Sequence, residues 1–214
     1  MYEPFRRSEG GTRTETLLRN IRWFLPLILC LLPLQSQAQV TKTEITIELL
    51  NGLLNSRPAF SWTLNDVTDL LGRPSAVENP VAGIVGARLH YHEAGVSFWF
   101  EAPQKDPQQK VFVLSIYLSK TWDARNRNHF QPFRGTLVPT VDANWKADHI
   151  LKELAPFNPK VETVEEQRQK AQASGLRTPL PDLQELIRVQ RDGHRVNFFV
   201  EPNTKFLERV TIIK

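Results

Sequence analysis

Cysteine is all but missing: Cys30 is the only one among 214 residues, and it lies inside an apolar run near the N-terminus. Beyond that run the chain has no thiol for a disulfide, a nucleophile or a cysteine metal site. An excess of one charge is missing too. The net charge is +4, and much of it sits where Arg6, Arg7, Arg13, Arg19 and Arg22 face only Glu3, Glu9 and Glu15. The remainder is nearly balanced and lacks the clustered Lys/Arg of a nucleic-acid binder, so no nucleic-acid partner is expected. Long hydrophobic runs are also absent. The longest, Trp23 to Leu34, contains Pro26 and Pro33 and falls well short of the ~20 apolar residues of a membrane-crossing helix. The chain has no Gly-x-Ser-x-Gly elbow, no phosphate loop and no His-Glu-x-x-His. Familiar catalytic chemistries are therefore not expected, and neither is a cofactor.

A basic start, the short apolar run and a break into Gln35-Ser36-Gln37-Ala38-Gln39 make up the three parts of a secretory signal peptide. The expected cut follows Ala38, which sends residues 39–214 to the periplasm or the medium with no membrane span. An uncleaved anchor is the rival reading, and the length of the run argues against it. A lipoprotein would need its cysteine after a small residue at the end of the run, whereas Cys30 follows Leu29 in the middle. Arg6-Arg7 lies too far from the run for a twin-arginine signal. Without disulfides, stability must come from a core, and a chain of this size buries close to ~70% of its unfolded surface.

The pattern after the signal occurs twice. Thr63 is a good N-cap with Asp66 in the capping-box position. Leu64, Val67, Leu70 and Leu71 follow at helical spacing, and Gly72 and Pro74 end the helix. Leu89–His92, Val96–Glu101 and Lys110–Leu118 then alternate as three antiparallel strands. In the second copy Trp145 aligns with Trp62, and Ala147, Ile150 and Leu154 take the places of Leu64, Val67 and Leu71. Strands follow at Leu186–Gln190, Val196–Glu201 and Leu207–Ile212. The expected fold is α+β: an antiparallel sheet with short helices packed on one face, in two helix-plus-three-strand repeats. Residues 39–121 form the first repeat with an N-terminal strand, 122–141 a polar connector and 142–214 the second repeat. Thr43–Leu50 reads as that strand, with Asn51-Gly52 as a hairpin turn before Leu53-Leu54. A short strand is expected near Gly135–Val138. Glu162–Ser174, polar almost all round, reads as an exposed helix or an insertion before Pro179 and Pro181.

The run Leu64-Asn65-Asp66-Val67-Thr68-Asp69-Leu70-Leu71-Gly72-Arg73-Pro74, then a Tyr-containing strand, Gly95 and a further strand pair, resembles the repeat unit of β-lactamase inhibitor protein-like and SmpA/OmlA-like envelope domains. It is equally similar to uncharacterised exported bacterial proteins built from that unit. The resemblance covers the helix and strands of each half. Its specific element is the Leu-Leu-Gly-x-Pro helix ending, where the second half has Leu154-Ala155-Pro156 instead. It implies a binding, inhibitor or assembly role without catalysis. It transfers no functional residue, because the matching positions are structural.

His90 and His92 stand two apart on a strand and so share a face. Such a pair holds zinc when a third ligand converges, and Glu93 and His129 are the near candidates in sequence. The favoured reading is instead a half-exposed pair on an open sheet face, with no metal. His149 reads as a solvated helix residue, and His129 and His194 fall in a connector and a turn. If the helices cover one face, the other meets water or a partner. Alternation assigns His90, His92, Trp99 and Tyr117 to that face in the first half. In the second half it assigns Arg188, Arg195, Phe199 and Arg209. Aromatic and Arg side chains are enriched at protein-binding hot spots, although cross-strand pairing favours them too. The expected function is thus an exported, non-catalytic binding or inhibitor-type module for a protein or acidic polymer. The alternatives are a structural or assembly factor of the cell envelope and, third, a hydrolase.

Overall fold

A computed structural model describes residues 44–78, 86–101, 108–173 and 183–214. The expected signal peptide 1–38, most of the loop 103–109 and the stretch holding Pro179 and Pro181 lie outside the described residues. Among those described, no helix is long and apolar enough to cross a membrane.

In chain order, β1 (Thr46–Glu48) turns back through Asn51-Gly52 into β2 (Leu53–Leu54), with Ile47 opposite Leu54 and Glu48 opposite Leu53. Gly52 has φ +63, a left-handed conformation that glycine adopts without steric cost. β3 (Arg57–Pro58) extends this small sheet. Helix α1 (Leu64–Leu71) follows. The Thr63 hydroxyl accepts from the Asp66 amide at 3.2 Å, and the Asp66 carboxylate accepts from the Thr63 amide at 2.7 Å. That reciprocal pair satisfies two donors otherwise orphaned at the helix start. β4 (Ala76–Glu78), β5 (Arg88–Tyr91), β6 (Val96–Phe100) and β7 (Val111–Tyr117) come next, then the hairpin β8 (Thr121–Asp123) and β9 (Asn128–Phe130). β10 (Thr136–Val138) runs parallel to β1, so the small sheet reads β10-β1-β2-β3. Helix α2 (Ala147–Leu154), β11 (Lys160–Glu162), α3 (Val164–Ala173), β12 (Glu185–Arg191), β13 (His194–Val200) and β14 (Leu207–Ile213) complete the described order.

The large sheet is antiparallel throughout, in the order β11-β12-β13-β14-β7-β6-β5-β4. Outward from its central seam, β7-β6-β5-β4 lies on one side and β14-β13-β12-β11 on the other. One face is apolar and carries α1 and α2. Val67 of α1 and Ile150 and Leu154 of α2 join one core with Phe98, Ile116, Phe198 and Val210. The architecture is therefore α+β with short helices on one face of an antiparallel sheet. The second-half core positions Ile187, Val189, Val196, Phe198, Val200, Val210 and Ile212 are all buried, as strict alternation requires.

Three details differ from the sequence reading. Each half has four strands rather than three, because β4 and β11 are three-residue edge strands, too short for a period of two to register. Strict alternation along Lys110–Leu118 would bury Phe112 with Leu114 and Ile116, but Phe112 is only partly buried, and Val111 enters the core in its place. The cause is an irregularity that pairs Trp99 with Val113 but Phe100 with Val111, the phase change of a bulge. The connector 122–141 is also not merely polar loop, since it contains β8, β9 and β10. The polar stretch from Glu162 forms the exposed helix α3, with a second capping box between Thr163 and Glu166.

Candidate functional site

The second face of the large sheet carries the alternate side chains, which line up in rows across strands. One row runs Arg188-Asn197-Thr211-Ser115-Ser97-His90. Beside it runs Gln190-Arg195-Ile213-Val113-Trp99-Arg88-Glu78, and on its other side Leu186-Phe199-Arg209-Tyr117. The middle row is a polar floor: Asn197, Thr211, Ser115 and Ser97 are all buried. Among the described residues, Asn197 Oδ1, Thr211 Oγ1 and Ser97 Oγ have no hydrogen-bond partner.

His90, His92 and Tyr117 do not lie on an open face, contrary to expectation. They are 6%, 1% and 8% exposed, because the β8–β9 hairpin folds back over the first half of the sheet. The Phe130 ring stacks on Tyr117 at 3.7 Å and 7° and packs against His92 at 4.5 Å. His92 Nε2 lies 3.0 Å from Asp123 Oδ2. His92 has left the strand for a 3-10 turn, yet its ring still stacks with His90 at 6.0 Å. Neither ligand candidate near in sequence joins the pair: Glu93 is exposed, and His129 packs against Trp122. Glu78 and Asp123 converge instead. With His90 they place one ligand atom each within 4.8 Å of one another, and His90 Nε2 is 3.3 Å from Glu78 Oε1. Burial lowers the His90 pKa, opposed by the charges of Glu78 and Asp123. Burial pushes the Asp123 carboxyl up, but hydrogen bonds from Asn126 and His92 outweigh it and hold the group below its ordinary value.

The other predicted residues remain partly accessible. Arg209 lies over Phe199 at 4.2 Å and over Tyr117 at 5.8 Å, and Arg88 covers Trp99 at 3.9 Å. These contacts orient flat guanidinium groups on aromatic faces. Arg188 pairs with Glu162 at 3.0 Å. Among the described residues, Arg195 has no carboxylate within ion-pair distance. Burial and then the neighbouring Arg188 charge lower its pKa, against the pull of Glu162. Trp99 is half-buried on the side away from the helices. The structure thus separates the eight predicted residues. His90, His92 and Tyr117 are sealed under a hairpin, while Arg188, Arg195, Phe199 and Arg209 stay together on the β12–β14 surface, and Trp99 lies apart on β6 beneath Arg88. Reading the sequence missed Glu78, Asp123, Asn126 and Phe130. The one local signal was Asp123-Ala-Arg-Asn, whose Asp carboxylate caps the amides of Arg125 and Asn126 at 3.2 Å each, an Asx turn.

No family model and no curated protein matches the chain. Among solved structures, a DUF4309 family protein (YjgB) from Bacillus subtilis is 16% identical, with a TM-score of 0.34, over 71% of this chain and 77% of that one.

Proposed function

We propose that the chain is an exported, non-catalytic binding module of inhibitor or assembly type, working in the periplasm or medium after its signal is cut. It receives an acidic stretch of a protein partner on the second face of β12, β13 and β14. The observation that carries this reading is the trio Arg188, Arg195 and Arg209, of which, among the described residues, Arg188 alone lies within ion-pair distance of a carboxylate. Arginine stays charged at every physiological pH and binds carboxylates bidentately. Phe199 beneath Arg209 adds an apolar anchor. The matching strand order on either side of the seam supports two copies of one helix-plus-strands unit, like the repeats that the sequence resembles. Against a hydrolase stands Ser97, the cross-strand neighbour of His90, which is 0% exposed and so closed to a substrate.

The test is binding of a fluorescent polyglutamate peptide, with polylysine as control. Saturable binding of polyglutamate that weakens with salt and is lost in the Arg195→Glu, Arg209→Glu double variant is the expected result. Equal affinity in wild type and double variant would reject the proposal. A polyglutamate-negative protein that retains an anionic polysaccharide on the same arginines would move the reading to an acidic polymer.

A further inference from the structure

We propose that Glu78, His90 and Asp123, with His92 beside them, form a binding site for a divalent transition-metal ion of zinc type. It is separate from the arginine surface and independent of that reading. Imidazole nitrogen and carboxylate oxygen are the donors that zinc accepts, at ~2.0–2.2 Å. Two ligands on one tetrahedral ion then stand about 3.4 Å apart, close to the 3.3 Å between His90 Nε2 and Glu78 Oε1. Magnesium and calcium prefer all-oxygen sites and fit this donor set poorly.

Each carboxylate is anchored through one oxygen, and its other oxygen faces the histidines, where the Asn126 amide contacts both. Glu78 Oε2 takes Arg88 at 3.2 Å and Arg125 at 3.1 Å, which leaves Oε1 turned toward His90. Asp123 Oδ1 takes two backbone amides, which leaves Oδ2 turned toward His92. Outer contacts that orient ligands in this way are a regular part of metal sites. A second observation is independent of the carboxylates. His90 is 6% exposed, yet among the described residues neither ring nitrogen has a partner in hydrogen-bond geometry. Buried polar atoms are rarely left so, and coordination would satisfy one of them. The gap between the carboxylates is bridged by the Asn126 side-chain amide, which donates to Glu78 Oε1 at 3.2 Å and Asp123 Oδ2 at 2.8 Å. An ion replaces that bridge, and the amide turns over to present its carbonyl oxygen or swings out. Arg125 is the competing cation, and its side chain, 71% exposed, is free to withdraw. Since the ligands come from β4, β5 and β8, a bound ion pins the hairpin to the sheet.

The experiment uses the full chain carrying Cys30→Ser, so that no thiol competes, stripped of metal and titrated with Zn²⁺. Co²⁺ serves as a spectroscopic probe of tetrahedral coordination. One equivalent should bind and should raise the melting temperature, with no rise in Mg²⁺. His90→Ala and Glu78→Gln should each weaken binding at least tenfold, and Arg125→Ala should tighten it severalfold. Absence of saturable Zn²⁺ binding, or unchanged affinity in the two ligand variants, overturns the proposal. Should His90→Ala fail to fold, the nearly isosteric Glu78→Gln decides alone.

Discussion

The two halves of the large sheet share strand order and alternation, yet their second faces meet different fates. On the β4–β7 side, a hairpin from the connector lays Phe130 on Tyr117 and ties Asp123 to His92. On the β11–β14 side, Arg188, Arg195 and Arg209 keep partial contact with solvent, Arg209 lying over Phe199. Tyr117 and Arg209 are direct cross-strand partners in one row, so strand geometry does not distinguish them. What distinguishes them is the chain that happens to return over each half. Alternation therefore says which side of a sheet a residue occupies, and a distant segment decides whether that side is wet.

The sharpest way to break this comparison is to remove the covering ring. Phe130→Ala should cost about 3–5 kcal/mol, since the residue is 2% exposed. Phe199→Ala on the other half should cost about 1 kcal/mol. Urea denaturation measures both, and equal losses would mean that the two faces are equally covered. The next effect separates the helices. α1 has a capping box, whereas the N-cap of α2 is Lys146 with no side-chain cap. Thr63→Ala should lose about 1 kcal/mol, and Lys146→Ala should lose less. The α1 cap is also acid-sensitive. Hydrogen bonds from the Thr63 amide and hydroxyl hold the Asp66 carboxyl below its ordinary value of 3.8. Its contribution is full above that value and disappears as pH falls through the lower folded one. The stability gap between wild type and Asp66→Asn should close in acid.

A smaller effect belongs to the first half alone. Burial pushes the Tyr91 phenol up to about 12 from 10.0, and its hydroxyl donates to the Gly72 carbonyl. The stabilisation is complete below 10.0 and is lost as pH rises through the folded value of about 12. An alkaline absorbance titration should show one late phenol, which vanishes in Tyr91→Phe. The smallest effect closes the series. Arg195→Ala and Arg209→Ala should each change stability by no more than about 0.5 kcal/mol. A loss several times larger would make those side chains structural rather than recognition elements.

The core of the sheet could be read from the chain because its signal is local. Val196, Phe198 and Val200 alternate within one strand, and Thr63 with Asp66 announces a helix start three residues ahead. The site was less legible for the opposite reason. His92 and Asp123 are 31 positions apart, and nothing near either residue points to the other. Phe130 stands in an Arg- and Asn-rich connector with Trp122 and Phe133, and the ring it stacks on, Tyr117, belongs to a different strand pairing. Edge strands of three residues and a single-residue phase change at Phe112 lie below what periodicity can resolve.

Of the strands in the large sheet, β14 is the latest in the chain and yet sits at the centre, bonded to β13 on one flank and β7 on the other. Until it docks, each half ends in a long bare strand whose amides and carbonyls can recruit any neighbouring chain. Closure on β7 pairs residues as far apart in sequence as Ile213 and Val113, and such non-local pairing folds slowly. The segment 207–213 thus acts as a latch: premature termination before it would leave two sticky half-sheets rather than one shortened protein.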